Sequence, residues 1–238
     1  MKPNKPEKIW HSGWYRGSRI LEWISDLVLI VVFLIGIYLA YDTVYVYHHT
    51  RVQSLQYHRP ETIEELQGEL LDEVVAWLTI DDTNIDYPIM QCDNNIKYLN
   101  LDAYGEYSLS GAIFMDFRCS PDFTDLYNLV YGHHMGAGMM FGALDEFYDE
   151  AYFNEHLTGS LLIDDKTVPL DIVAFLAIDV SEDEIFNPEP GNMDIYAYCD
   201  SHATYKRALD PSKHVLALST CKEPMSTKRT VLICQYGL

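Results

Sequence analysis

The sequence is short of basic residues. Its 16 lysines and arginines face 36 aspartates and glutamates, which gives a formal net charge of -20. A protein that binds nucleic acid needs a basic face toward the phosphate backbone, so this balance argues against a nucleic-acid partner. The few basic residues are also uneven, because residues 1–19 are net positive and the remainder is strongly acidic. No low-complexity tract or internal repeat is present, and 238 residues suffice for a domain with a full core plus additional segments.

Cysteine is also scarce, and its pattern excludes the common cysteine-rich sites. The chain contains no Cys-x-x-Cys pair and no Cys/His spacing typical of zinc ligands, so we expect no zinc site. Because the count is odd, at least one thiol stays free or pairs with another molecule. Whether the others form disulfides is left open by the sequence. The five are Cys92, Cys119, Cys199, Cys221 and Cys234.

One long apolar run occurs, "LVLIVVFLIGIYLAY" at residues 27–41, without charge or proline. With its flanks, residues 20–47, it reaches the roughly 20 residues that a membrane span needs. A cleaved signal peptide and a buried core helix are the alternatives. No small-x-small cleavage site follows the run, and a helix that is apolar all round would need protein on every side. We predict a transmembrane helix over 20–47, with the basic tail 1–19 in the cytoplasm and the acidic remainder outside.

Two kinds of pattern follow the apolar run. Residues 48–75 are predicted to form a polar juxtamembrane stalk and then an amphipathic helix, because apolar residues recur at helical spacing within 61–78 and acids open the segment. From 76 to 238 the sequence changes to eight short alternating runs separated by turn residues, the pattern of a mostly antiparallel β-barrel or sandwich. Within 76–238, the sequence predicts helices only in 138–156 and in part of 193–209.

Three candidate catalytic residues lie at the ends of predicted strands. The run "HVLALSTC" ends in Cys221, His133 follows the strand-like "NLVY" and a glycine, and Arg229 begins the last run, eight residues after the cysteine. Histidine is the usual base for a cysteine nucleophile, and arginine can hold an oxyanion. Each residue alone also fits an ordinary role: a buried thiol, a surface turn and an edge-strand charge.

The order of six segments makes the combination specific. They are "VVAWLTIDDTNIDYPIMQ", "NNIKYLNLD", "SGAIFMDFR", "LVYGHHMGAGMMFGAL", "LALSTC" and "RTVLICQ". In these segments, from about Val74 to Ile233, the sequence resembles the sortases, membrane-anchored cysteine transpeptidases of Gram-positive bacteria, and class B in particular. The resemblance implies a mainly β fold: an eight-stranded barrel with N-terminal helices and a helix in the insert before the nucleophile strand. It makes residues 76–238 an extracellular catalytic domain. Ala217 stands where the family's Thr-Leu-x-Thr-Cys motif begins with threonine.

The resemblance also assigns roles to residues. It implies Cys221 as the nucleophile, His133 as the catalytic histidine and Arg229 as the arginine, while His134 takes a position that often holds asparagine. A peptide groove would run past Asn95, Leu99 and Ser219, under an insert that contributes Ile185. No metal or organic cofactor is implied.

The implied reaction cleaves the C-terminal sorting signal of surface proteins or pilins after a threonine, through a cysteine thioester. The acyl group then passes to an amine of a lipid-linked cell-wall precursor or of a pilin lysine. Two rivals stay open, a secreted cysteine protease that hydrolyses the same peptide and a non-catalytic surface binding domain. Against the protease, such enzymes usually orient the histidine with Asn or Asp, whereas the third member here is an arginine.

Overall fold

A computed structural model describes residues 11–56, 59–66, 70–179, 183–221 and 228–238 of the chain. The chain divides into two units, Met1–His48 and His49–Leu238. Residues 1–10 of the predicted basic tail lie outside the described part, and so do residues 222–227, which follow Cys221.

A single helix, α1 (His11–Gln56), accounts for the N-terminal apolar run. Within it, Arg19–Tyr45 is a 27-residue stretch of mean hydropathy 2.4 with none of its residues buried. At 1.5 Å per residue this stretch is about 40 Å long, enough by length and composition to cross a membrane. The helix continues into residues 48–56, where we predicted a stalk. No proline or glycine occurs between Gly36 and Pro60, so nothing in the backbone ends the helix at residue 47.

The amphipathic helix predicted within 61–78 is wrong. The described residues hold one 3₁₀ turn, Ile63–Leu66, and Val74 already begins a strand. Four of the apolar residues at helical spacing are buried, namely Ile63, Leu66, Leu70 and Val74. Tertiary backbone hydrogen bonds hold the segment in place of a continuous helical ladder. Ile63 N–H donates to the Asp164 carbonyl at 2.8 Å, and Leu71 N–H donates to the Ala103 carbonyl at 2.9 Å.

The remaining chain folds around a closed β-barrel. Its strands are β1 (Val74–Ile80), β2 (Asp86–Met90), β3 (Ile113–Met115), β4 (Tyr127–His133), β5 (Thr158–Ile163), β6 (Lys166–Asp179), β7 (Tyr205–Lys206), β8 (His214–Cys221) and β9 (Lys228–Tyr236). The sheet order is β5-β1-β2-β3-β4-β8-β9-β6, and a further pairing of β5 with β6 closes it into eight strands, while the short β7 pairs only with β6. The eight runs predicted from the sequence each form a barrel strand, and the eight-stranded barrel that the family resemblance implied is confirmed.

Short helical segments decorate the barrel. The predicted helical stretch at 138–156 forms a 3₁₀ helix, Phe141–Tyr148, followed by α2 (Glu150–Glu155). The insert between β6 and β8 carries a 3₁₀ turn, Asp183–Phe186, and α3 (Ile195–His202), which confirms the predicted insert helix. Further 3₁₀ turns lie at Lys97–Leu99 and Gly136–Gly138.

The barrel interior is a continuous apolar core. Consecutive residues of β4, β8 and β9 are buried in it, including 215–218 and 231–234, so both faces of these strands are covered by protein. A second cluster packs around Trp77 and takes in the segment from Ile63 to Val74. The central strands β4, β8 and β9 are therefore held by the core, and their ends are the positions that concern function.

Candidate active site

The predicted histidine and cysteine lie side by side. Strands β4 and β8 are parallel, and seven consecutive residue pairs run from Tyr127 with Val215 to His133 with Cys221. Because neighbouring strands lie about 4.8 Å apart, the backbones of His133 and Cys221 are immediate neighbours at the carboxyl ends of both strands. The side chain of Cys221 lies outside the described part of the chain.

Arg229 reaches the same place from the other side of β8. Strands β8 and β9 are antiparallel with Ser219 opposite Val231, and Thr230 N–H donates to Thr220 Oγ1 at 3.3 Å. Each step toward the end of β8 corresponds to one step back along β9. Continuing this register by two residues brings Arg229 opposite Cys221. The fold therefore brings the end of β4, which is distant in sequence, beside the end of β8 and the start of β9.

The imidazole of His133 is in a desolvated position. Its Nδ1 is buried and has no hydrogen-bond partner among the residues that the structure describes. Burial lowers the pKa of His133, because removal from water disfavours the charged ring. A neutral imidazole next to a cysteine can accept the thiol proton, and a weakly held proton is readily passed on.

His134 has a different environment. Its Nε2 lies 2.6 Å from Asp145 Oδ2, and its backbone bridges to Met140. Met140 N–H in turn donates to Tyr87 Oη at 3.1 Å. These contacts tie the turn after β4 back onto the barrel. His134 thus has a carboxylate partner of its own.

That turn also borders an acidic cavity of about 490 Å³. The cavity lies between the β1–β2 turn and the 3₁₀ helix Phe141–Tyr148, and its lining includes the carboxylates of Asp82, Asp145 and Glu146. Nothing in the sequence patterns indicated it.

Two predicted groove residues lie on one firmly held segment. Asn95 uses both ends of its amide, since Nδ2 donates to Asp116 Oδ2 at 2.8 Å and Oδ1 accepts from Phe117 N–H at 3.0 Å. Leu99 ends the 3₁₀ turn Lys97–Leu99 and is partly exposed. The turn is anchored by Glu73, which accepts from Lys97 Nζ at 2.6 Å and from Tyr98 Oη at 2.6 Å. Hydrogen bonds from Lys97 and Tyr98 lower the pKa of Glu73.

The other two predicted groove residues are buried. Ser219 is 1% exposed and pairs with Tyr131 across β4 and β8. Ile185 is fully buried, and its carbonyl accepts from Tyr127 Oη at 2.7 Å. In this conformation neither side chain offers surface to a peptide, and their roles in binding stay predictions.

A buried ion pair was missed at the sequence level. Asp116, just after β3, is fully buried and lies 2.8 Å from Arg118 Nη2. Burial would raise the pKa of Asp116, but hydrogen bonds from Arg118 and Asn95 outweigh it and hold the pKa below its usual value. The pair falls in "SGAIFMDFR", so the segment was recognised as a family feature, but no pattern indicated its partners.

The four cysteines other than Cys221 are free thiols, and three of them are buried. Burial raises the pKa of Cys119 and of Cys199 to about 12, and it also raises that of Cys234. These thiols are therefore poor nucleophiles near neutral pH, since the thiolate is the reactive form.

Comparison with known proteins agrees with this architecture. No family model matches the chain. Sortase B of Staphylococcus aureus (strain NCTC 8325 / PS 47) is 24% identical over 252 residues, which cover 92% of this chain and 98% of that protein.

Solved structures extend the comparison. Sortase B from the Type II pilus of Streptococcus pneumoniae is 33% identical with a TM-score of 0.56, over 69% of this chain and 92% of that one. A Streptococcus pyogenes class B sortase involved in pilus biogenesis is 32% identical with a TM-score of 0.66, over 74% of this chain and 97% of that one. About a third of the aligned residues are identical across nearly the whole of these two solved chains, and the closed barrel is shared, so this chain belongs to the class B sortases, a family of cysteine transpeptidases.

Proposed function

We propose that this sortase cleaves the C-terminal sorting signal of surface proteins or pilins after a threonine and transfers the acyl group to an amine. Cys221 is the nucleophile, His133 the acid and base, and Arg229 the oxyanion donor. The observation that carries this assignment is the direct pairing of His133 with Cys221 at the ends of two parallel strands, with Arg229 on the strand that follows.

In the first half-reaction the Cys221 thiolate attacks the threonine carbonyl carbon. The C–O double bond opens to a tetrahedral oxyanion, which the guanidinium of Arg229 and nearby backbone N–H groups stabilise. Collapse of this intermediate breaks the C–N bond. The imidazolium of His133 gives its proton to the leaving amine, and a Cys221 thioester remains.

In the second half-reaction the neutral imidazole of His133 removes a proton from the incoming amine. The amine nitrogen attacks the thioester carbonyl, the C–S bond breaks, and a new amide forms while the thiol is regenerated. The lowered pKa of His133 suits this step, because the ring returns readily to the neutral form that acts as the base.

The sorting signal binds in a groove that runs past Asn95, Leu99 and Ser219, under the insert that carries Ile185, and the insert moves to admit the peptide. An Asn-Pro-x-Thr type of signal is the expected substrate, as the class B resemblance implies. The accepting amine belongs to a lipid-linked cell-wall precursor or to a pilin lysine. The involvement of the S. pyogenes relative in pilus biogenesis, and the Type II pilus origin of the S. pneumoniae enzyme, support a pilin as one acceptor.

The apolar stretch Arg19–Tyr45 of α1 anchors the enzyme in the cell membrane. Residues 1–19 lie in the cytoplasm, and the catalytic barrel lies outside. The exposed apolar surface of this stretch and its basic flank support this topology.

The test uses the full chain in detergent micelles, a fluorescent Asn-Pro-x-Thr peptide, and triglycine or a lysine peptide as the amine. Mass spectrometry follows the thioester and the amide product. We expect Cys221→Ser to lose at least about a thousandfold in rate, and Arg229→Ala to lose about a hundredfold or more. Cys92→Ser makes the same atomic change at a partly buried thiol and should leave the rate unchanged.

The products separate the rivals. Hydrolysis alone, even at high amine concentration, would show a protease. Full activity of Cys221→Ser would remove this residue from the mechanism, and a wild-type chain that binds the peptide without cleaving it would be a binding domain. The amine that gives the greater amide yield identifies the class of acceptor.

A further inference from the structure

Asp116 is a buried carboxylate that the proposed reaction does not use. Its backbone N–H donates to the Leu129 carbonyl at 2.8 Å, which fixes the residue at the end of β3. Its side chain has no exposed surface and accepts hydrogen bonds from five donors. These are Arg118 Nε and Nη2 at 2.8 Å each, Arg118 N–H at 3.0 Å, Asn95 Nδ2 at 2.8 Å and Tyr131 Oη at 3.1 Å.

Two of these donors belong to different sides of the predicted groove. Asn95 is on the segment that ends at Leu99. Tyr131 lies on β4, two residues before His133, and therefore on the same face of the strand. Its register partner on β8 is Ser219. The Asp116 carboxylate thus connects the segment from Asn95 to Leu99, which we call the wall of the groove, with the paired strands at Tyr131 and Ser219, which we call its floor.

Arg118 connects the same carboxylate to the insert between β6 and β8, which we call the roof of the groove. Its Nη1 donates to Asn187 Oδ1 at 3.0 Å, and its Nη2 donates to the Phe186 carbonyl at 2.8 Å. Both acceptors directly follow Ile185, the insert residue predicted to contact the peptide. A planar guanidinium can hold a carboxylate on one edge and two further oxygens on the other, which the single ammonium of a lysine cannot do.

We propose that Asp116 and Arg118 form a clasp that holds the wall, floor and roof of the sorting-signal groove in register, and that both are positioning residues for substrate binding. The inference rests on the proposed function of the groove. The described hydrogen bonds of the clasp go to the groove segments and not to His133. Loss of the clasp should therefore weaken peptide binding and leave the chemical step unchanged.

The test compares Arg118→Gln and Arg118→Lys with the wild-type enzyme in micelles. Lys213→Gln is the matched control, because it removes one positive charge from an exposed ion pair with Asp171. We expect Arg118→Gln to raise the KM for the sorting peptide about tenfold, the loss expected from about one hydrogen bond to a charged group, with kcat within about twofold. Arg118→Lys should show a smaller rise in KM, and Lys213→Gln none.

A second measurement needs no turnover. Hydrogen exchange of the amides at 184–187 should become faster in Arg118→Gln than in the wild type, while that of the barrel strands stays unchanged. Alkylation of Cys221 by a small reagent should proceed at the wild-type rate, because the reagent does not need the groove.

The outcomes distinguish the clasp from the proposed reaction. Unchanged exchange at 184–187, or a fall in kcat at constant KM, would overturn the clasp while leaving the sortase assignment intact. If neither the wild type nor any variant forms a thioester, the proposed function fails. Hydrogen exchange at 184–187 then decides by itself whether Arg118 holds the insert. Arg118→Lys retains the positive charge. If Arg118→Gln does not fold, the KM and the exchange rates of Arg118→Lys can still be compared with those of the wild type.

Discussion

The desolvated histidine leads to a definite prediction for stability against pH. The comparison is between Cys221→Ala and the double variant Cys221→Ala, His133→Gln, both without the catalytic thiol. Burial lowers the pKa of His133 in the folded chain below its ordinary value of 6.5. Between the folded and unfolded pKa values, the unfolded chain binds a proton that the folded chain does not. Acid therefore favours unfolding through this residue.

The size of the His133 contribution to the free energy of unfolding, and the pH range in which it changes, follow from the linkage between proton binding and folding. The histidine contribution is constant above the unfolded pKa, is lost as the pH falls below about 6.5, and levels off below the folded pKa. Each pH unit between the two pKa values corresponds to about 1.4 kcal/mol. The other titrating groups are common to both variants, so the difference between their unfolding free energies isolates His133.

The assay is urea unfolding at a series of pH values from 8 to 4.5. Circular dichroism and the fluorescence of Trp77, which is fully buried on β1, follow unfolding of the barrel at every pH. We expect the variant that keeps His133 to lose stability relative to the glutamine variant as the pH falls. A difference that does not change with pH, or that favours the histidine variant in acid, would refute the reasoning. The second result would show that a nearby negative charge outweighs burial.

Two further predictions concern the surroundings of the site. In Gly142→Ala the new Cβ would lie 1.9 Å from a main-chain oxygen of the turn after β4, so we expect about 1–3 kcal/mol of destabilisation and a lower kcat, whereas Gly136→Ala in the same turn meets nothing within 4 Å and should be neutral. Thermal unfolding and peptide kinetics of both variants check this, and equal behaviour would contradict it. Iodoacetamide at pH 8 should modify Cys221 well before Cys119 and Cys199, whose pKa values are raised to about 12. Peptide mapping reads the order, and early labelling of either buried thiol would contradict their assignment as inert.

The strands could be predicted from the sequence, because each is a local signal. Alternating apolar residues and the turns between them located all eight barrel strands. The choice between a barrel and a sandwich could not be made in this way. It depends on pairings between distant segments, such as β5 with β6 and β4 with β8, and hydrophobic alternation is the same in both architectures.

The failed helix shows the limit of periodic patterns. Apolar residues at Ile63, Leu66, Leu70 and Val74 fit a helical stripe, and all four are buried in one cluster. In the described residues a 3₁₀ turn at Ile63–Leu66 and a non-helical stretch at 70–74 bury the same side chains. The spacing correctly indicated which side chains face the protein, but it did not determine the backbone conformation that brings them there.

The candidate site was predictable only in part, for a similar reason. His133, Cys221 and Arg229 are each marked by a local feature, the end or start of a strand. Asp116 and Arg118 have no such mark, because the groups that explain them come from Asn95, Tyr131 and the insert. A single sequence contains no record of those contacts.

The parallel pairing of β4 and β8 explains why core packing and chemistry are linked in this enzyme. In a parallel pair the last residues of both strands lie at the same end, so two side chains can meet without either strand extending into a loop. A slip of one residue would place His133 opposite Thr220 and turn every side chain of β4 to the other face. Leu129 and Val130 are both fully buried although they lie on opposite faces of β4, so a slip would force each into space that is packed for the other. The interactions that stabilise the barrel are therefore the same ones that align the histidine with the cysteine.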